Sequence, residues 1–447
     1  MNNGRKMIMV ERFFVKKLFG MFDNEIAFRE NGITVIVGQN GCGKTTMLHM
    51  LAAIFSKNHS QLFQYNFEYI ELLVSGHKLK IEPIDEKLED EGITIRSLKY
   101  YIDSKALEKC YREDSKINSP SFWVNFIPSL RRRARNLLYD MRSGEVLTLA
   151  EVIDTYFDEL PEEIKNDIIA LPTEAYDLIG NLQIELITTD RLKRLYREDE
   201  YRRYDVVQRF VVEECSNELS NNLKNVLSEY ANLSQKLDEQ FPSKILKSIK
   251  QHNQFNETEL KENVKKIDEL RKKHVNAGVL EENNDKFLNI DVNAERLDES
   301  TAAILTIYYQ DMKLKLESLN DISDRIVLFK SMIMNKFNEY KEILINKDDG
   351  IIIRQKPNNE EVALKFLSSG EQQEIVLLYN LIMKGEKNKF ILIDEPEISL
   401  NVSWQREFLN DMKKIVEING FSILIATHSP QIINDNWDMV ETLGELE

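Results

Sequence analysis

The octapeptide Gly38-Gln39-Asn40-Gly41-Cys42-Gly43-Lys44-Thr45 fits G-x-x-x-x-G-K-[ST] without a mismatch. It follows the apolar run Ile33-Thr34-Val35-Ile36-Val37 and precedes a helical run from Thr46 to Phe55. A strand, a glycine-rich turn and a helix in that order leave few architectures open. The glycines let backbone N–H groups close around phosphate oxygens, and the helix N-terminus adds its positive end. Asn40, Gly41, Cys42, Gly43, Lys44, Thr45 and Thr46 are therefore the expected phosphate-binding residues. Lys44 reaches the outer phosphates, and the Thr45 hydroxyl is an expected Mg²⁺ ligand.

Two further apolar strands are expected near the C-terminus. Phe390–Ile393 ends in Asp394 and Glu395, and Ser422–Ala426 runs into Thr427 and His428. Asp394, at the strand's carboxyl end, is placed to hold Mg²⁺; Glu395 is placed to polarise an attacking water. Between octapeptide and acids, Leu367-Ser368-Ser369-Gly370-Glu371 opens an apolar-striped helix. Its N-terminus offers a second anion-facing end at Ser369 and Gly370, or simply a capping box. Short apolar strands alternating with helices imply a mostly parallel, doubly wound α/β sheet.

The middle of the chain reads differently. From Asn181 to Asp349 the only glycine is Gly278 and the only proline is Pro242. Leu219, Leu223, Val226, Tyr230, Leu233 and Leu237 alternate steps of four and three, a coiled-coil-like seam. Leu260, Val264, Ile267 and Leu270 predict a shorter helix. A second long stripe runs Leu316, Leu319, Ile322, Ile326, Phe329, Ile333, Phe337, Tyr340, Leu344. Residues 276–293 read as the loose tip of an antiparallel helical hairpin. The expected division is 1–200, a helical insertion over 201–345, and 346–447; residues 60–180 give no clear assignment.

Composition narrows the function. Asp plus Glu number 75 against 59 Lys plus Arg, a net charge of −16 over 447 residues, which argues against a surface that coats nucleic acid or anionic membrane throughout. Two basic segments, Arg131, Arg132, Arg133 with Arg135 and Arg191 with Lys193 and Arg194, are either a local DNA or partner surface or solvated faces. Three widely spaced cysteines give no disulfide framework or zinc pattern. With no 18-residue apolar run and no signal-peptide core, a cytoplasmic location away from membranes is expected.

The order of these elements resembles the ABC-type ATPase head. The resemblance is specific over roughly residues 8–55 and 363–434, and implies an α/β head with a mostly parallel sheet, interrupted by a long helical insertion. It makes Lys44 and Thr45 the Walker A residues, Ser369 and Gly370 the signature, Asp394 and Glu395 Walker B, and His428 the γ-phosphate switch. It implies ATP and Mg²⁺ as ligands, Glu395 and His428 as catalytic residues, and head-to-head dimers in which one protomer's signature faces the other's phosphate loop. Ser399-Leu400-Asn401 falls at the D-loop, with Asn401 where aspartate is usual. Gln61 or Gln64 stands where the Mg²⁺-contacting glutamine is sought, and Phe19 or Phe22 where adenine stacks.

Within that family, Glu395-Pro396-Glu397-Ile398-Ser399-Leu400, Thr427-His428-Ser429-Pro430 and Leu237-Asp238-x-x-Phe241-Pro242 are similar to the OLD-like bacterial defence ATPases. Those include the ATPase subunits of two-gene anti-phage systems, PARIS type favoured over Septu type. Only 19 residues follow His428, too few for the Toprim nuclease that OLD proteins carry. The resemblance thus implies a sensor or scaffold homo-oligomer controlling a separate effector protein, with a phage-encoded trigger and DNA binding left open. The competing expectation is an SMC-like DNA-associated repair or clamp ATPase.

Overall fold

The computed structural model describes residues 10–56, 59–88, 93–112, 119–134, 137–156, 159–161, 172–180, 182–187, 193–198, 205–251, 257–282, 299–337, 340–385 and 389–444. Two compact units emerge, Met1–Arg209 with Gly385–Glu447, and Phe210–Lys384. The expected boundary at 345 thus lies inside the second unit, which also holds the Ser369-Gly370 segment.

The chain opens with β1 (Val10–Leu18), β2 (Phe22–Ala27), β3 (Ile33–Gly38) and α1 (Lys44–Phe55). Four strands follow: β4 (Tyr69–Val74), β5 (His77–Leu88), β6 (Ile93–Ile102) and β7 (Lys105–Arg112). Next come α2 (Pro120–Phe126), β8 (Leu130–Ala134), β9 (Leu137–Asp140), β10 (Val146–Thr148) and α3 (Leu149–Tyr156). α4 (Thr173–Ile179), β11 (Gln183–Ile187), β12 (Lys193–Glu198) and β13 (Asp205–Phe210) lead to the second unit. That unit holds α5 (Val211–Gln251), α6 (Glu257–Ala277), α7 (Glu299–Glu317), α8 (Asn320–Lys336), β14 (Lys341–Asn346), β15 (Gly350–Gln355), β16 (Glu361–Val362) and α9 (Ser369–Met383). The first unit resumes with β17 (Lys389–Asp394), α10 (Val402–Asn419), β18 (Ser422–Ala426), α11 (Pro430–Ile433) and β19 (Val440–Leu443).

In the first unit β11, β17, β18, β3 and β19 form, in that spatial order, a sheet whose every pairing is parallel. Its central strands are buried along nearly their whole length, which is why β3, β17 and β18 read as unbroken apolar runs. β17, β18 and β3 are neighbours, so their carboxyl ends open along one edge, where open parallel sheets place ligands.

The remaining sheets correct the mostly parallel expectation. β2-β1-β4-β5-β6-β7 form a six-stranded antiparallel sheet, and β10-β9-β8 a three-stranded antiparallel one. Tyr69–Val74 alternates half-buried and buried residues, the period-two pattern of a sheet covered on one face. One core joins Phe13 and Ile70 of the antiparallel sheet, Leu48 and Leu51 of α1, and Leu392 and Leu424 of the parallel sheet. α1 is apolar all round because it is buried within that core.

In the second unit the seam Leu219, Leu223, Val226, Tyr230, Leu233 and Leu237 is buried or half-buried throughout. The helices around it form a bundle, not a simple antiparallel coiled-coil pair. α5 packs on α7 and α9, while α6 packs on α7 and α8. Ile267, Leu305, Tyr309 and Leu316 fill the α6–α7 contact, and Lys315 bridges to Asp238 at 2.7 Å. α5 continues through Pro242 to Gln251.

The stripe from Leu316 to Leu344 crosses three elements: the end of α7, then α8, then β14. Tyr340 in fact points to solvent. Gly278 is no loose tip. At φ +86° it lies where a Cβ would stand 1.9 Å from the Ile345 carbonyl oxygen, so the chain turns tightly against β14. Of the expected tip, residues 283–293 lie outside the described residues.

Candidate active site

β3 delivers the chain into the glycine-rich loop, and α1 begins at Lys44 with Gly43 as its N-cap. Gly43 has φ +101°, and a Cβ there would meet Leu18 Cδ2 at 2.5 Å, so only glycine fits this close turn. Asn40, Gly41 and Thr45 are exposed, Thr46 is half-buried, and Cys42 is buried as a small packing residue of the loop. Space beside Gly41 is open: a Cβ would meet nothing within 4 Å.

Lys44 is only 5 % exposed, and its Nζ donates to the carbonyls of Gly38 at 2.9 Å and Gln39 at 3.2 Å. An ammonium folded over its own loop has exchangeable carbonyl partners and lies where phosphate oxygens would replace them.

Thr45 and Asp394 are 349 positions apart, yet Thr45 Oγ1 donates to Asp394 Oδ1 at 3.2 Å. Asp394 ends β17 and is 8 % exposed. Burial pushes its carboxyl above the ordinary aspartate range, against the bond from Thr45 and the nearby charges of His49 and Lys44; Glu397 adds to the rise. A hydroxyl beside a carboxylate that lacks a full counter-charge is a donor set that suits Mg²⁺, which takes few protein oxygens and completes its shell with phosphate and water. Thr45 and Asp394 would hold the ion, which would supply charge neutralisation to the phosphates.

Glu395 follows at φ +43°, left-handed backbone that costs a non-glycine residue about 1–2 kcal/mol. Its N–H donates to the Ala426 carbonyl at 2.9 Å, which extends the β17–β18 ladder and holds the strained turn. The turn swings the carboxylate out of the strand, and Oε1 stands 3.8 Å from His428 Nε2. So the structure brings Lys44, Thr45, Asp394, Glu395 and His428 to one edge of one sheet.

Ser369 and Gly370 lie in the second unit, in the first turn of α9. The neighbouring Ser368 is the cap: its hydroxyl accepts from Glu371 N–H, and the Glu371 carboxylate accepts from Ser368 N–H. The capping-box alternative therefore holds at Ser368 and leaves the exposed Ser369 outside that box. Burial works against ionisation of Glu371, but the bonds from Lys341 and Ser368 outweigh it and hold its carboxyl below the ordinary range. Asn401 likewise caps α10, accepting from Trp404 N–H at 3.0 Å.

The open pairs now divide. Phe19 is 39 % exposed on the β1–β2 turn, with Cε2 3.4 Å from a Cβ placed on Gly43, whereas Phe22 packs onto the core. Gln61 and Gln64 lie on the turn His59–Gln64, and among the described residues no bond joins either to the loop. Arg131, Arg132 and Arg133 are exposed on the edge strand β8. Arg135 and Arg191 lie outside the described residues.

Sequence reasoning missed two supports. Asn24, buried on β2, donates to the Cys42 carbonyl at 2.8 Å and accepts from Gly444 N–H at 3.0 Å, tying the loop to the end of β19. Glu397 accepts from Thr427 Oγ1 at 2.9 Å and from His428 N–H at 2.6 Å. Asn24 belongs to no local motif, and Glu397, although it lies in the 395–400 stretch, has partners 30 and 31 residues away that no spacing rule finds.

Among the described residues no helix is long and apolar enough to cross a membrane. A 47-residue stretch is 45 % identical to the cytochrome c biogenesis ATP-binding export protein CcmA of Rickettsia bellii, covering 10 % of this chain and 24 % of that protein. The match thus spans about a quarter of the relative's length. Solved structures similar to this chain include an Smc head domain with an extended coiled coil, bound to the C-terminal domain of ScpA, from Pyrococcus furiosus. It is 13 % identical with a TM-score of 0.33, over 96 % of this chain and 91 % of that one. The SMC head domain of Thermotoga maritima is 12 % identical with a TM-score of 0.31, over 97 % and 94 %. The family described as AAA ATPase domain (AAA_15) matches residues 17–433, nearly the whole chain, and the protein therefore belongs to that family of ATP-hydrolysing enzymes.

Proposed function

We propose that the chain binds Mg²⁺-ATP along the carboxyl edge of its parallel sheet and hydrolyses it to switch a separate effector protein. The observation that carries the site is the 3.2 Å bond between Thr45 and Asp394, which joins two segments that only a nucleotide site needs together. In this reading Lys44 and the loop N–H groups bind the outer phosphates. Thr45 and Asp394 flank the cation, and Phe19 stacks on the base. Glu395 draws the proton from the attacking water, and His428 senses the terminal phosphate. Ser369 and Gly370 of a partner protomer complete the site in a head-to-head dimer, the unit of a larger homo-oligomer.

The effector and its anti-phage setting rest on the likeness of residues 395–400, 427–430 and 237–242 to OLD-like defence ATPases. Lys44→Ala should abolish ATP binding, and Glu395→Gln should keep binding while slowing turnover about 10²–10⁴-fold. ATP affinity and steady-state phosphate release check both, and wild-type hydrolysis in either variant would sink the site assignment. Purification from the native host with ATP tests the wider role. A co-purifying nuclease-like protein supports it, and DNA alone supports the clamp.

A further inference from the structure

The catalytic histidine sits on a loop, yet its position is fixed by a side chain from another strand's end. His428 is exposed, but its backbone N–H is bound at 2.6 Å to Glu397 Oε1. The other oxygen of the same carboxylate, Oε2, accepts from Thr427 Oγ1 at 2.9 Å. Thr427 is fully buried, and its own N–H donates to the Ile36 carbonyl of β3 at 3.1 Å. One carboxylate thus fastens two consecutive residues of the switch loop to the turn that starts immediately after Glu395. A second link runs parallel: Ser429 Oγ donates to Gln405 Oε1 at 2.6 Å, and Gln405 Nε2 donates to the Leu400 carbonyl at 2.9 Å.

We infer that Glu397 is a positioning residue for ATP hydrolysis, which holds the His428 backbone in register with Glu395 and thereby sets the distance between base and switch. The inference rests on the assignment of Glu395 and His428 above. Chemistry selects the residue type. Each carboxylate oxygen accepts, so both donors are satisfied at once, and both bonds are strengthened by the carboxylate's shared charge. Glutamine has one accepting oxygen and a donating NH₂, so it keeps His428 N–H only by reversing or losing the Thr427 bond, and it removes the charge that strengthens both. Because Glu397 sits two residues beyond Glu395, movement of the 395–400 turn is passed directly to the histidine.

The test is a double-mutant cycle of ATPase kinetics on the full chain, with wild type, Glu397→Gln, His428→Ala and the double variant. Glu397→Gln should lower kcat about 10- to 100-fold and leave KM for ATP within about twofold. In the His428→Ala background the same change should cost less than about twofold, because the group it positions is gone. Thr427→Val, nearly isosteric, removes one of the two bonds and should lower kcat in the same direction by less. It also serves as the readout if Glu397→Gln fails to fold, as judged by its thermal midpoint. Losses that multiply in the double variant, or a raised KM at unchanged kcat, would overturn the inference. Wild-type turnover in His428→Ala alone would overturn the histidine's role itself, a different failure that the single variant exposes.

Discussion

Asp394 in the first unit and Glu374 in the second are both carboxylates shut away from water, and the chain treats them in opposite ways. Glu374, on α9, is bound at 2.8 Å to Lys336 of α8, and both side chains are almost fully buried. Among the described residues only a threonine hydroxyl stands at hydrogen-bond distance from Asp394, and burial raises its pKa. A buried charge with a full partner fastens two helices; a buried carboxylate beside a hydroxyl is a donor set that suits a cation. Local composition does not distinguish them. The partner does.

Removing the partner at Glu374 should produce the largest effect. Lys336→Met keeps length and bulk but removes the charge bound to the carboxylate, and a loss of about 3–5 kcal/mol in unfolding free energy is expected. Asp394→Asn should do the reverse. It removes the desolvated charge, so stability should hold or rise while hydrolysis drops at least about a hundredfold. Urea unfolding of both variants beside ATPase rates reads the contrast. Equal destabilisation by the two would show that Asp394 is also a structural anchor.

A buried histidine extends the comparison to pH. His59 in the first unit is fully buried against Tyr100 Oη at 2.7 Å, and burial drives its pKa down to about 4, against a bond to the Ile54 backbone that favours the charged form. Between pH 6.5 and 4 the unfolded chain takes up a proton that the folded chain refuses, so stability falls as pH falls through that window. The loss approaches about 3 kcal/mol at pH 4. His274, buried beside Ser323 in the second unit, is lowered in the same direction, again by burial first. Unfolding free energies of wild type and His59→Gln at several pH values measure the part that belongs to the first unit. An unchanged slope in the variant would remove His59 from the account.

How legible each region was follows from the range of its contacts. The loop 38–45, the acids 394–395 and His428 each sit at the end of an apolar strand, and strand, turn and helix periods expose them in a single segment. That the three strands are neighbours was not readable. It depends on β11 and β19 flanking them, and Val440–Leu443 is too short to announce itself. Most of the antiparallel sheet falls in residues 60–180, which gave no clear assignment, although Tyr69–Val74 alternates. The stripe Leu316–Leu344 failed for another reason. Helical spacing survives by chance across the break at Ser318–Leu319 and into β14, where Ile343 and Ile345 are the buried pair. The bonds of Asn24 and Glu397 were not readable, although Glu397 stands in the 395–400 stretch, because each satisfies groups tens or hundreds of residues away.

The smallest expected effects come from the two helix caps, and they bear on the one predicted site element that belongs to the second unit. Ser368 caps α9 and Asn401 caps α10, and replacing either by alanine should cost about 1 kcal/mol. Ser368→Asp separates capping from phosphate binding. Aspartate is as good a cap, so the melting temperature should return to that of wild type. An anionic cap at a helix end that must face phosphate, however, offsets the dipole's attraction and repels the phosphate by like charge. Under the composite-site reading Ser368→Asp is therefore stable and slow, while Ser368→Ala is slightly less stable and faster than the aspartate variant. If turnover in Ser368→Asp equals that of wild type, the α9 N-terminus faces no phosphate, and Ser369 and Gly370 leave the site with it.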